Sequence, residues 1–386
     1  GRLAEELVRQ SRCDVVAVDP DAEKVARLRD RFQQAGLYGA RIALHVGDPK
    51  SCSFPPYVAS LIVSEEPALV GDAADPALVK RLFRSLRPYG GTACLPMPAP
   101  KQKAFAEAAS ACELPRAVVR QTDRSVLLTR QGALPDTANW SHSGANAANT
   151  GASQDRFVRA PLTRLWFDGS FRWFRTPGTT EVRVAGGRVL VRLNKLNAID
   201  VFTGRHLWEA ALPPSHNPGG EIVAVEDAVY LTAGSACVAL DPATGEKAGQ
   251  IELPEGVEGR WSNVRVEGDL LVGASGKQLV CMNRRDGRLL WKHERKQKVG
   301  SIAVGGDRVF SADFVNRRRG QPAPDMSGFT AQAFELTTGK LLWEITGASD
   351  VRYSGPHDLV VASGGVYKAS DGTRVRKAGG TWAITD

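Results

Sequence analysis

"AIDVFTGRHLWEA" occupies residues 198–210, and its shape returns three times: "ALDPATGEKAGQI" from Ala239, "CMNRRDGRLLWKH" from Cys281 and "AFELTTGKLLWEI" from Ala333. An acid or amide side chain at the head of the corner can accept hydrogen bonds from the amides two and three residues on, as Asp200 and Asp241 are placed to do. The glycine that follows supplies a positive φ that a side chain resists. Gly204, Gly245, Gly287 and Gly339 hold that place, and a weaker fifth copy puts Gly372 there. Trp208, Trp291 and Trp343 then recur at one position of the strand that leaves the corner.

Each copy has a partner upstream. "EVRVAGGRVLVRL", "EIVAVEDAVYLTA", "NVRVEGDLLVGAS", "SIAVGGDRVFSAD" and "HDLVVASGGVYKAS" alternate apolar and polar residues around a Gly-Gly, Glu-Asp, Gly-Asp or Ser-Gly pair. Each reads as the first hairpin of a unit, with a third strand, the corner and a fourth strand after it. The marker glycines lie 41, 42, 52 and 33 residues apart. Four strands in about 40 residues is the period of a β-propeller blade. The long interval holds "NRRRGQPAPDMSG", a polar insertion that a loop can absorb. An indole at the same place in each unit is suited to the wedge between adjacent sheets.

These units resemble the pyrroloquinoline-quinone (PQQ)-type propeller repeat, Ala–x–Asp–x–x–Thr–Gly–x–x–x–Trp, over about residues 160–377. The repeat is found in quinoprotein alcohol dehydrogenases and in non-enzymatic propellers such as the outer-membrane assembly lipoprotein. "WSHSGANAANTGAS…APLTRLW" resembles the opening segment of such proteins, and that resemblance makes Trp166 part of a strand that precedes the first blade and joins the last. Propellers of this type usually carry more than five blades, so the chain is read as a fragment with an incomplete propeller.

Residues 1–130 follow another rhythm. Helix patterns ("RLAEELVRQS", "DAEKVARLRDRFQQAG", "PALVKRLFRSLRPYGG" and residues 101–112) alternate with strand patterns ("CDVVAVDP", "ARIALHVGD", "VASLIVSEE", "TACLPM"). "RAVVRQTDRSVLLTR" closes the region as two antiparallel strands. Such alternation predicts a doubly wound, mostly parallel α/β sheet. On "VVAVDPD", "HVGD", "LIVSEE" and "LRPYGG" the region resembles the class I S-adenosylmethionine-dependent methyltransferases. A carboxylate at the end of a strand suits ribose hydroxyls. The resemblance implies that Asp19 holds the ribose, Asp48 the adenine amino group, and Gly1 the end of the glycine loop under the methionine. It also implies S-adenosylmethionine as cofactor. The pattern departs from the family in three places. The first strand with most of the glycine loop is not in the sequence, Ser60 stands where an acid is common, and no catalytic signature follows Glu65.

Domain expectations follow: a methyltransferase-like domain over 1–130, a linker or arm over 131–160 rich in Asn, Ala, Ser and Gly, and a PQQ-like propeller over 161–386. The six cysteines are scattered without metal spacing and read as free thiols, and the six histidines form no triad or H-x-x-x-H pattern. A net charge of +8 permits an acidic partner, and "RRDGRLLWKHERKQK" with "NRRRG" is the only basic run of note, better read as loop surface than as a nucleic-acid site. No apolar run reaches membrane-spanning length. The favoured function is a binding or scaffold propeller, its partner a protein or small molecule on loops or channel, carrying a methyltransferase-like domain read as inactive. The alternative is an S-adenosylmethionine-dependent methyltransferase whose propeller recognises substrate. A quinone-dependent dehydrogenase comes third, because no two cysteines are adjacent and no calcium ligands can be assigned, which argues against bound PQQ. The relatives of the propeller point to the periplasm or exterior and those of the first domain to the cytoplasm.

Overall fold

The structure is a computed structural model that describes residues 1–66, 71–166, 181–214, 220–315 and 325–378. The chain divides into two compact units, Gly1–Pro135 and Asp136–Asp386.

In the first unit, helices α1 (Arg2–Gln10), α2 (Ala22–Gln34), α3 (Pro76–Ser85) and α4 (Ala99–Ala111) alternate with strands β1 (Val15–Asp19), β2 (Ile42–Val46), β3 (Leu61–Val63) and β4 (Gly91–Pro96). β5 (Ala117–Gln121) and β6 (Ser125–Arg130) follow as an antiparallel pair. Local signals set the helix starts: Asp21 accepts from the Lys24 amide at the head of α2, and Asp75 from the Ala77 amide at the head of α3 with Pro76 behind it. The strands form two sheets, a parallel pair β1–β2 and a four-stranded sheet in the order β3-β4-β6-β5. Val25, Phe32, Ile42 and Leu44 fill the core under the pair, while Phe83, Leu95, Phe105 and Leu128 fill the core of the larger sheet.

Among the described residues the second unit holds five four-stranded antiparallel sheets in succession, the blades of a β-propeller. The first is β7 (Glu181–Ala185), β8 (Arg188–Arg192), β9 (Lys195–Asp200) and β10 (His206–Ala211). The second is β11 (Ile222–Val225), β12 (Ala228–Ala233), β13 (Ala236–Leu240) and β14 (Lys247–Glu252). The third is β15 (Ser262–Glu267), β16 (Leu270–Ser275), β17 (Gln278–Asn283) and β18 (Leu289–Glu294). The fourth is β19 (Val299–Gly305), β20 (Arg308–Asp313), β21 (Thr330–Glu335) and β22 (Leu341–Thr346). The fifth is β23 (Val351–Ser354), β24 (Leu359–Ala362), β25 (Gly364–Lys368) and β26 (Arg374–Ala378). The first strands of successive sheets lie side by side, β7 by β11, β11 by β15, β15 by β19 and β19 by β23.

Two expectations need correction. In the fifth unit "HDLVVASGGVYKAS" is the second and third strands, not the first and second. The true first strand is "VRYS", joined to β24 by the turn Gly355–Asp358, whose Pro356 hides the hairpin from a pattern search. Trp166 lies in no strand, although its ring does rest on the first blade. The insertion that starts at 316 is outside the described residues up to 324.

Candidate functional site

The two carboxylates expected to meet a nucleoside sit at or just past the carboxyl ends of strands in the first unit: Asp19 ends β1 and Asp48 lies two residues beyond β2. A third, Glu65, lies two residues beyond β3. Their present partners come from the chain itself. Asp19 Oδ1 accepts from the Asp21 amide at 3.0 Å, and Oδ2 pairs with Lys24 Nζ at 2.5 Å. Burial works against this charge, but the Lys24 ammonium and the Asp21 amide outweigh it and hold the carboxyl below its ordinary value. Asp48 folds onto its own turn, accepting from the Lys50 amide at 2.9 Å. Glu65 Oε1 accepts from the Leu3 amide at 3.1 Å, in the first turn of α1 where the helix would otherwise offer donors to an anion. A Cβ on Gly1 would stand 2.6 Å from Leu28 Cδ2. As arranged, Asp19 is engaged by Lys24 and the head of α1 by Glu65, both side chains of the unit. Lys24 and Glu65 were missed by sequence reasoning. The Asp19–Lys24 spacing of five residues across a strand–helix turn was the available signal.

The corner residues of the second unit make the bonds their types allow. Asp200 Oδ1 accepts from Phe202 and Thr203 amides at 2.9 and 3.0 Å, and Asp241 Oδ1 does the same for Ala243 and Thr244. Across the sheets Trp208 faces Ala198, Trp291 faces Cys281 and Trp343 faces Ala333, each beside a bulge at the same register. Each indole then reaches the corner of the next blade. Trp208 lies on Gly245 and donates to the Pro242 carbonyl, Trp291 lies on Gly339 and donates to Leu336, and Trp343 lies on Gly372 and donates to Ala369. Trp166 completes the series on Gly204 and Val201. These residues are mechanical.

The sequence offered two readings of residues 131–160, linker or arm, and residues 140–149 are an arm. They run along the first strands of all five blades. Trp140 exchanges both backbone bonds with Val184, each at 2.9 Å, and the Ala224 amide donates to the Ser141 carbonyl at 2.9 Å. The Val266 amide donates to His142 Nε2 at 3.1 Å. The Val304 and Tyr353 amides donate to the Ala147 and Ala148 carbonyls, and Asn149 Nδ2 donates to the Val351 carbonyl at 2.8 Å. Those five amides stand at one register position, two residues before each turn, on the strand edge that has no sheet neighbour. Unpaired, each would be a costly orphan.

Beside the arm, first strands are stapled by side chains in alternation. Arg183 Nε donates to the Ile222 carbonyl, Glu221 accepts the Val264 amide, Arg265 Nε donates to the Ile302 carbonyl, and Ser301 Oγ accepts the Val351 amide. His142 is buried, with Nδ1 2.7 Å from Ser141 Oγ. Because Nε2 accepts an amide, the proton belongs on Nδ1. Burial first, then the guanidinium groups of Arg265 and Arg183, push the imidazole pKa well below its ordinary value. Burial raises the Glu221 carboxyl, against the pull of Arg265 and the Val264 amide. The repeated Val-Arg-Val of "EVRVA" and "NVRVE" was the signal for these arginines. His142 looked isolated because its partner is 124 residues away.

All six cysteines are free, and burial pushes the Cys281 thiol up to about 12. Among the described residues no three His, Cys, Asp or Glu gather as metal ligands. Two arginines of the basic run are engaged internally: Arg284 bonds Tyr230 and Asp227, and Arg295 bonds Asp313, Ser311, Gln332 and Thr330. "NRRRG" lies outside the described residues.

Comparison with known proteins divides the chain in the same way. Residues 1–90 match the family model of a methyltransferase domain. Residues 232–378 match that of outer membrane protein assembly factor BamB. The similar solved structures include BamB from Moraxella catarrhalis (20% identity, 53% of this chain and 64% of that one, TM-score 0.36). They also include a quinohemoprotein alcohol dehydrogenase from Pseudomonas putida (13%, 63% and 48%, TM-score 0.45) and one from Comamonas testosteroni (15%, 64% and 50%, TM-score 0.44). The chain thus spans 48% to 64% of the length of these structures. No curated protein sequence matches it. Among the described residues no helix is long and apolar enough to cross a membrane.

Proposed function

We propose that the chain is a binding scaffold: a PQQ-like propeller that meets a partner through its outer loops and rim, with a methyltransferase-like domain attached that does not turn over. The observation that carries this reading is the arm. The first-strand edges, where an axial ligand would meet the blades, are already bonded by residues 140–149. The tryptophans Trp166, Trp208, Trp291 and Trp343 are spent on covering the corner glycines Gly204, Gly245, Gly339 and Gly372. The similarity to BamB over 232–378 fits a protein-binding role for the rim.

A second reading, a methyltransferase using S-adenosylmethionine, is favoured by the match over residues 1–90 and by three carboxylates at strand ends. It requires the Asp19–Lys24 pair to open. Titration calorimetry of this chain with S-adenosylmethionine separates the two. The scaffold reading expects no saturable heat. Tight binding that disappears in Asp19→Ala would sink it.

A further inference from the structure

One blade contact departs from the others. In the second sheet the residue that faces Ala239, beside the usual bulge, is Gly249. That is the register of Trp208, Trp291 and Trp343. The next corner still has its glycine, Gly287, with φ of 71°. An added Cβ on Gly204, Gly245, Gly339 or Gly372 would meet an indole at 2.3 to 2.9 Å, whereas one on Gly287 meets no atom within 4 Å, nor does one on Gly249. Both glycines are partly open to solvent. The acceptors used elsewhere are the carbonyls of Val201, Pro242, Leu336 and Ala369, each one residue past the head of its corner. Its counterpart here is the Arg284 carbonyl. The missing ring is compensated at the turns, where Arg284 reaches Tyr230 and Asp227, and Arg285 bridges Asp227 and Asp269. Those bonds hold the second and third blades together without filling the space over Gly287.

We propose that this notch, lined by Gly249, Gly287 and the Arg284 carbonyl, binds an indole ring presented as a tryptophan side chain by a partner polypeptide. The proposal deepens the scaffold reading and rests on it for the partner. The shape of the site is fixed by the four neighbouring contacts, where a ring of the same size lies on the same glycine and donates one hydrogen bond. Tryptophan is also the side chain whose burial at an interface contributes most per residue. Phenylalanine would cover the glycine and leave the carbonyl unbonded, so the indole N–H gives selectivity.

Met282 is the nearest reporter by register, 3% exposed in a core that also holds Tyr230 and Trp261. It holds in the third blade the register that Phe334 holds in the fourth, and Phe334 lies 6.0 Å from the Trp291 ring. The chain has three methionines, so methyl-labelled full-length protein gives a short spectrum. Titrated with N-acetyl-tryptophanamide, the Met282 methyl is expected to move upfield with a dissociation constant on the order of millimolar, as suits a fragment-sized ligand. Met97 and Met326 should stay still, and N-acetyl-phenylalaninamide should bind several-fold more weakly. Gly249→Trp fills the notch from within: it should raise the melting temperature and weaken the probe at least tenfold. A Met282 signal that does not respond to the tryptophan probe overturns the proposal even if Gly249→Trp fails to fold. So does a signal already ring-shifted in the free chain and moved by Trp173→Ala or Trp382→Ala, since an indole of this chain would then hold the site. Scaffold function and notch fail separately, because S-adenosylmethionine binding leaves the Met282 titration unaffected.

Discussion

Gly245 and Gly287 form a natural experiment, since they occupy the same corner with φ of 76° and 71°. Over Gly245 lies the Trp208 ring, whose Cε3 would stand 2.4 Å from an added Cβ; over Gly287 there is open space. Alanine at either place is strained by the left-handed backbone, at about 1–2 kcal/mol. Only at Gly245 does it also collide with an indole that is 8% exposed and bonded to Pro242, an overpacking cost of about 1–3 kcal/mol more. Gly245→Ala should therefore destabilise the chain by about 2–5 kcal/mol, and Gly287→Ala by about 1–2. Urea denaturation followed by fluorescence measures both. In a Trp208→Ala background the collision is gone, so the cycle should return a coupling of about 1–3 kcal/mol between positions 208 and 245. Equal costs at the two glycines, or additive behaviour of the pair, would refute the claim that the indole ceiling is what distinguishes these corners.

Two further outcomes are expected. His142 is held neutral in the fold, its pKa well below the 6.5 of the free side chain, so the unfolded chain binds the extra proton first. Its share of stability is complete above pH 6.5 and is lost as the pH falls, at up to about 1.4 kcal/mol per unit. Glu221 has the opposite sign, because its pKa is raised: its contribution is present below 4.5 and fades as pH rises. Denaturation midpoints from pH 7.5 to 5 should fall more steeply in Glu221→Gln than in the parent, and a flat profile in that variant would contradict the neutral, accepting His142. The second concerns Arg295 and Asp313, whose side chains are 1% and 2% exposed and fully hydrogen-bonded. Arg295→Ala strands the carboxylate and should cost about 3–5 kcal/mol, readable as a loss of thermal stability. A loss under 1 kcal/mol would mean that the fourth blade can admit water there.

What could be read in the sequence was whatever is settled within a few residues. The corners are local: Asp200 bonds amides two and three positions on, and Gly204 follows at four. Helix starts at Asp21 and Asp75 are local too. The indole contacts were legible because the corner they cover lies about 35 residues ahead, one repeat later. The arm was legible only as one of two readings, linker or arm. Asn149 bonds Val351 across 202 residues, and the small polar residues around it could not decide between the two because their partners are backbone edges, which leave no trace in composition. The candidate cofactor carboxylates fall between these cases. Their positions at strand ends followed from the pattern; the five-residue spacing of Asp19 and Lys24 hinted at their pairing, whereas Glu65 reaches the head of α1 from 62 residues away, which no local spacing shows.

The arm has a consequence for how the second unit is made. Residues 140–149 leave the ribosome before any strand that they will touch, so the acceptors exist before the blades. Each blade, as it emerges, finds one waiting acceptor, Trp140 for the first and Ala148 for the fifth, and assembly can proceed in chain order. A circular permutant that moved residues 140–149 behind β26 would reverse this sequence, obliging five blades already made to wait for the acceptors that bond their first strands.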